Sequence, residues 1–76
     1  MLTLHFYTTS ACHLCETAST LLGQTTTPIN IITVDIADDD KLILQYGTRI
    51  PVLKREDALE ELGWPFNLND LNAYLA

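Results

Sequence analysis

The chain holds two cysteines, Cys12 and Cys15, in the run Ser10-Ala11-Cys12-His13-Leu14-Cys15. A pair at this spacing can cycle between dithiol and disulfide if a helix carries it, because residues three apart share one helical face. The flanking patterns predict that helix. Before the pair, Leu2-Thr3-Leu4-His5-Phe6-Tyr7 alternates apolar and polar residues with the period of a strand; after it, Leu14, Ala18, Leu21 and Leu22 recur with helical spacing. The cysteines therefore open a helix, where unpaired backbone N–H groups and the positive end of the helix dipole stabilise a thiolate. Cys12, at the exposed end, is the expected nucleophile, with a pKa well below the free value of about 8.5. Cys15 lies on the stripe of Leu14, Ala18 and Leu22, where desolvation raises a thiol's pKa. His13 adjoins Cys12 and could stabilise its thiolate as an imidazolium or, when neutral, take its proton. A solvent-facing residue that starts the helix is the competing reading. Glu16 opposes the shift at Cys12.

The elements needed to position this pair can be read in order. Residues 2–7 form a strand, Thr8-Thr9-Ser10 a polar turn with Ser10 as N-cap, and the helix runs to about Gly23. Ile29-Asn30-Ile31-Ile32-Thr33-Val34-Asp35-Ile36, rich in β-branched residues, is a second strand, and the βαβ unit implies a parallel pair with a right-handed crossover. Asp38-Asp39-Asp40 caps a short helix through Leu42, Ile43, Leu44 and Tyr46 that stops at Gly47. The acidic triple lacks the glycine and distal glutamate of a calcium loop, which leaves capping as its reading. Ile50-Pro51-Val52-Leu53 is a third strand, Lys54-Arg55-Glu56-Asp57 a charged turn, and Ala58–Leu62 a fourth strand with helix as the competing assignment. Gly63-Trp64-Pro65-Phe66 breaks the pattern, and Asn67 caps a last helix through Leu68, Leu71 and Leu75. The order is β-α-β-α-β-β-α in one domain, 1–76, without repeats or linkers.

Composition narrows the function classes. Apolar residues at 47% and charged residues at 18% describe a folded globular chain, with no run long enough to span a bilayer. Ten acids against four bases give a net charge of −6, which argues against a nucleic-acid surface and against an anionic membrane surface. Without a basic leader after Met1 no signal peptide is expected, so the default compartment is a reducing cytoplasm. There a cysteine pair is redox-active or metal-binding rather than a staple, and a loop this short would stabilise by only about 2 kcal/mol. His5 reads as a core or boundary residue. Trp64 and Phe66 read first as closing a small core and second as rimming a substrate groove.

Cys12-His13-Leu14-Cys15 after a first strand, Ile50-Pro51 before a third, and this element order resemble the glutaredoxin-like branch of the thioredoxin fold, an α/β fold with a mixed four-stranded sheet and helices on both faces. The resemblance covers essentially the whole chain. It implies that Cys12 attacks, that Cys15 resolves, that Pro51 is a cis-proline packed near the disulfide, and that the Ile50 backbone bonds an incoming peptide-like thiol. Arg49, beside Ile50-Pro51, is the best single candidate for an anion contact. An exposed loop charge is its other reading. The chain departs from the glutaredoxin pattern in its His-Leu insert, in having no base between Thr8 and Ala11, and in showing Gly63 alone where a glycine pair is usual. Glutathione is therefore disfavoured as co-substrate, and no resident cofactor is expected.

Three function classes follow. The leading one is a monomeric thiol-disulfide oxidoreductase that acts on a protein or small-molecule disulfide and is recharged by a thiol reductant. The second is a zinc or iron–sulfur carrier that uses Cys12, Cys15 and His13 across a dimer, since two thiolates are half a tetrahedral set. The third is a thioredoxin-fold binding module whose cysteines do not turn over.

Overall fold

The alternating first segment forms β1 (Leu2–Thr8), and its two faces are covered by different layers in the computed structural model, which describes residues 1–76. The remaining elements are α1 (His13–Gln24), β2 (Ile29–Asp35), a 3-10 turn (Ile36–Asp38), α2 (Asp40–Tyr46), β3 (Val52–Arg55), β4 (Glu61–Gly63) and α3 (Leu68–Leu75). The sheet order is β2-β1-β3-β4. β1 is central, parallel to β2 through pairs from Leu2↔Ile29 to Thr8↔Asp35 and antiparallel to β3 through Leu4↔Arg55 to Tyr7↔Val52.

Alternation then divides the core. Leu4, Phe6 and Leu53 point to one face, where they meet Cys15, Ala18 and Leu22 of α1 and Leu71 and Leu75 of α3. Val52 points to the other, where it meets Ile36 and Tyr46 with Tyr7, Leu42 and Ile50 around them. Helices thus cover both faces of a mixed sheet, as the resemblance implies. The larger cluster contains Cys15, so the resolving end of the cysteine pair is set in the main core.

Local signals account for most element ends. Asn67 and Asp70 form a reciprocal capping box at the start of α3, with bonds of 2.8 and 3.0 Å. Asp39 caps α2 through the Lys41 N–H and Asp35 caps the 3-10 turn through the Ala37 N–H. At Gly47 a side chain would run into the Ile43 carbonyl, the same oxygen that accepts the Gly47 N–H, so close approach selects glycine there.

Four sequence expectations are corrected. The N-cap of α1 is Cys12, not Ser10, because Ala11 turns the chain with φ 56° and delays the helix. Such a left-handed alanine costs about 1 kcal/mol or more, spent directly beside the cysteines. Leu14 is 45% exposed, so the buried stripe is Cys15, Ala18 and Leu22. β3 begins at Val52 rather than Ile50 and takes in Lys54 and Arg55, which the charge pattern places in a turn. The N–H groups of Arg49 and Ile50 are held by the Tyr46 carbonyl, which ties residues 49–50 to the end of α2. Lys54 and Arg55 instead find ladder partners in His5 and Leu4. The fourth strand is only Glu61–Gly63, and residues 58–60 form no helix; Leu59 is 96% exposed. Pairing of Leu62 with Leu53 and Glu61 with Lys54 overrides the helical propensity of that segment.

Candidate active site

The site is built at the end of β1 where the chain enters α1. Cys12 and Cys15 are joined as a disulfide with their Cα atoms 5.2 Å apart. Cys15 is 4% exposed in the main core, whereas Cys12 is half-buried and packs against that core from its rim. The Cys15 N–H donates to Cys12 Sγ at 3.1 Å, and the Glu16 N–H to the Cys12 carbonyl at 3.2 Å. A helix-start donor is therefore aimed at the outer sulfur, at the end of the helix where backbone N–H groups favour negative charge. An open cleft of about 240 Å³ lies at the cysteine pair, lined by both residues, with Phe6, Thr8, Thr9, Glu16 and Ser19 among its walls. Two other depressions, one near Met1 and one near Leu59, touch neither cysteine, so chemistry rather than volume marks this cleft.

The other sequence-predicted residues divide into those near the pair and those engaged elsewhere. His13 is 89% exposed, with Nδ1 3.6 Å from Glu16 Oε2. Ile50-Pro51 is a cis peptide bond, as is Trp64-Pro65. Pro51 is fully buried, one residue before the Val52 that pairs with Tyr7, and so sits at the same end of the sheet as Cys12. Ile50 packs against both hydrophobic clusters, and its N–H donates to the Tyr46 carbonyl at 3.1 Å, so that N–H is not available to an incoming peptide. The Trp64 N–H donates to the Pro51 carbonyl at 3.1 Å, and its ring stands edge-on to buried Phe66 at 5.0 Å. Trp64 thus braces the proline segment and closes core at once.

Arg49 is not free for an incoming anion. Its guanidinium lies 2.9 Å from Glu61 Oε1 and 5.3 Å from the centroid of the Tyr46 ring. The Tyr46 hydroxyl donates to Glu61 Oε2, and the Tyr46 ring stacks on Tyr7 at 4.3 Å. Sequence reading did not find this Tyr46–Glu61–Arg49 group, since only the fold brings residues from α2, the following loop and β4 together. No group of three or more His, Cys, Asp or Glu side chains is gathered in a metal-holding arrangement. A zinc or iron–sulfur site would need donors from outside this chain.

The pattern of the family description "Glutaredoxin-like domain (DUF836)" matches residues 3–76. The chain belongs to this glutaredoxin-like family. Among solved structures, the glutaredoxin-like chain is similar to a Northeast Structural Genomics target protein from X. campestris, with 39% identity and a TM-score of 0.86 over 95% of this chain and 93% of that one. It is also similar to a protein from Nitrosomonas europaea, with 28% identity and a TM-score of 0.76 over 99% and 92% of the two chains. A malarial protein at 18% identity and a TM-score of 0.67, over 96% and 91%, shares the fold. No curated protein matches the chain. No helix of the glutaredoxin-like chain is long and apolar enough to cross a membrane.

Charges in the Glu61 group are mutually reinforcing. Burial pushes the Tyr46 hydroxyl well up, and its bond to Glu61 pushes the same way. Burial works to raise the Glu61 carboxyl, but the bonds from Tyr46 and Arg49 outweigh it and hold the group below the ordinary carboxylate range. A depressed carboxyl stabilises the fold above its unfolded pKa of about 4.3 and loses that contribution as pH falls through the lower folded value. Tyr46→Phe keeps the ring packing and removes one donor, at an expected cost of about 1–3 kcal/mol. Urea unfolding at neutral pH should show a lower midpoint at unchanged slope. The penalty should shrink on acidification, and an equal penalty at both pH values would mean that the bond to the ionised Glu61 carboxylate is not what the hydroxyl contributes.

Proposed function

We propose that this glutaredoxin-like chain is a small thiol–disulfide oxidoreductase of a reducing cytoplasm, with Cys12 as attacking and Cys15 as resolving thiol. The observation that carries the reading is the unequal pair: an outer sulfur receiving a helix-start N–H, bonded to an inner sulfur set in the core. In the reduced protein the Cys12 thiolate attacks one sulfur of a substrate disulfide, forming a mixed disulfide and releasing the first substrate thiolate. Cys15 then loses its proton and attacks Cys12 Sγ, which breaks the mixed disulfide and releases the second thiolate. Two electrons pass to the substrate, and the Cys12–Cys15 bond is left. A thiol reductant reverses that oxidation. In this reading Pro51, fully buried at the same end of the sheet and braced by the Trp64 N–H, backs the site, and the Ile50 backbone is the segment that a bound peptide would meet beside it.

The test is disulfide reduction coupled in turn to a glutathione system and to a thioredoxin-type reductant. Turnover should be weaker with glutathione, because the cleft has no basic wall and Arg49 is already paired. Absence of turnover with either system, together with a reduction potential far outside the cytosolic range, would leave a binding module as the function.

A further inference from the structure

We infer that the disulfide this site reduces is carried on a cationic peptide segment of a protein, selected by a negative field at the dithiol end of the sheet. The inference rests on the oxidoreductase reading above and names its substrate class. The cleft against Cys12 and Cys15 is walled by the hydroxyl-bearing residues Thr8, Thr9 and Ser19 and by Glu16, with no basic residue lining it. Glu16 is 79% exposed, so its charge faces solvent and any approaching chain. In the parallel ladder Thr8 stands opposite Asp35, and the backbone continues at this same end into Asp38, Asp39 and Asp40. Asp35 and Asp39 each cap a backbone N–H and remain exposed, so their helix-capping role does not hide them.

Three of the four bases are placed where they cannot balance this. Lys54 and Arg55 stand opposite His5 and Leu4, towards the start of β1, and Arg55 is bonded to Asp57 and donates to the Tyr74 and Ala76 carbonyls. Arg49 is neutralised by Glu61, which leaves exposed Lys41 beside the acidic turn. A substrate carboxylate approaching Cys12 therefore meets like charge, and a lysine or arginine next to the substrate cysteine meets opposite charge. An open cleft of about 240 Å³ is too small to enclose a drug-sized ligand, whereas a peptide can lie along it and use the hydroxyls of Thr8, Thr9 and Ser19. Steering of this kind acts on encounter rate and fades with salt.

Three disulfide-linked homodimers of one short peptide, with lysine, glutamine or glutamate flanking its single cysteine, provide the test. Each is reacted with fully reduced protein in a single turnover, and its rate is divided by its rate with dithiothreitol to remove intrinsic disulfide reactivity. The expected order is lysine, glutamine, glutamate, with about tenfold between the extremes at low ionic strength and convergence near 0.5 M salt. Glu16→Gln should shrink the lysine-to-glutamate ratio by about threefold. The ratio is taken within one variant, so a change in the thiolate fraction of Cys12 cancels. Equal normalised rates, or a faster glutamate peptide, would overturn the inference while leaving the oxidoreductase reading intact. Reaction with none of the three would overturn that reading and the inference with it.

Discussion

Cys12→Ser will abolish disulfide exchange, with a loss on the order of a thousandfold or more, and Cys15→Ser will stop turnover at a different stage. The difference follows from the environment of each sulfur. Cys12 is the N-cap of α1, half-buried at the mouth of the cleft, and its sulfur accepts the Cys15 N–H at 3.1 Å. A serine there can still cap the helix, so the fold survives while the nucleophile is lost. Cys15 is 4% exposed among Ala18, Leu22 and Leu53, where a substrate disulfide cannot reach it. In Cys15→Ser the outer thiol still attacks, but nothing resolves the product, so a stable mixed disulfide should accumulate at one equivalent per chain and be visible by mass spectrometry. Alkylation followed against pH should also find the Cys12 thiol in Cys15→Ser reacting well below pH 8.5, while the Cys15 thiol in Cys12→Ser stays slow. If the Cys15 thiol were the faster one, the attacking and resolving roles would be exchanged.

Leu53→Ala should be strongly destabilising, at about 2–5 kcal/mol. Leu53 is 0% exposed, pairs with Phe6 on one side and Leu62 on the other, and belongs to the cluster that holds Cys15. A chain of 76 residues is worth roughly 4–11 kcal/mol in total, so the variant loses a large part of its stability. Its urea midpoint should fall steeply, and the fraction able to reform the Cys12–Cys15 bond should fall with it because the same cluster seats the inner sulfur. Leu59→Ala is the matched control: Leu59 is 96% exposed, and its truncation should change stability by less than about 0.5 kcal/mol. Comparable losses in the two variants would overturn the role of Leu53 as a core residue of the sheet.

Much of this protein was legible in its residues. Period-two alternation before Cys12, helical spacing after Cys15 and the β-branched run from Ile29 determine a strand–helix–strand unit, because each pattern suits only one backbone period. Asn67, Asp39 and Gly47 mark helix ends through contacts made within a turn or so of chain, which is why the capping pattern locates them. The cysteine spacing alone places two sulfurs within bonding reach at a helix start. What the sequence could not decide is whatever depends on a distant partner. Whether Leu14 or Cys15 faces the core is set by how α1 rolls against β1 and α3, and the roll buries Cys15. The limits of β3 follow from ladder partners in β1, so charged Lys54 and Arg55 become strand while apolar Ile50 is held by the end of α2. Arg49 has the type and position of an anion ligand in the sequence, yet β4 brings Glu61 to it from twelve residues away and satisfies its charge. Local pattern reports the backbone period and the caps; long-range packing alone determines which side is inside and which charges are already spent.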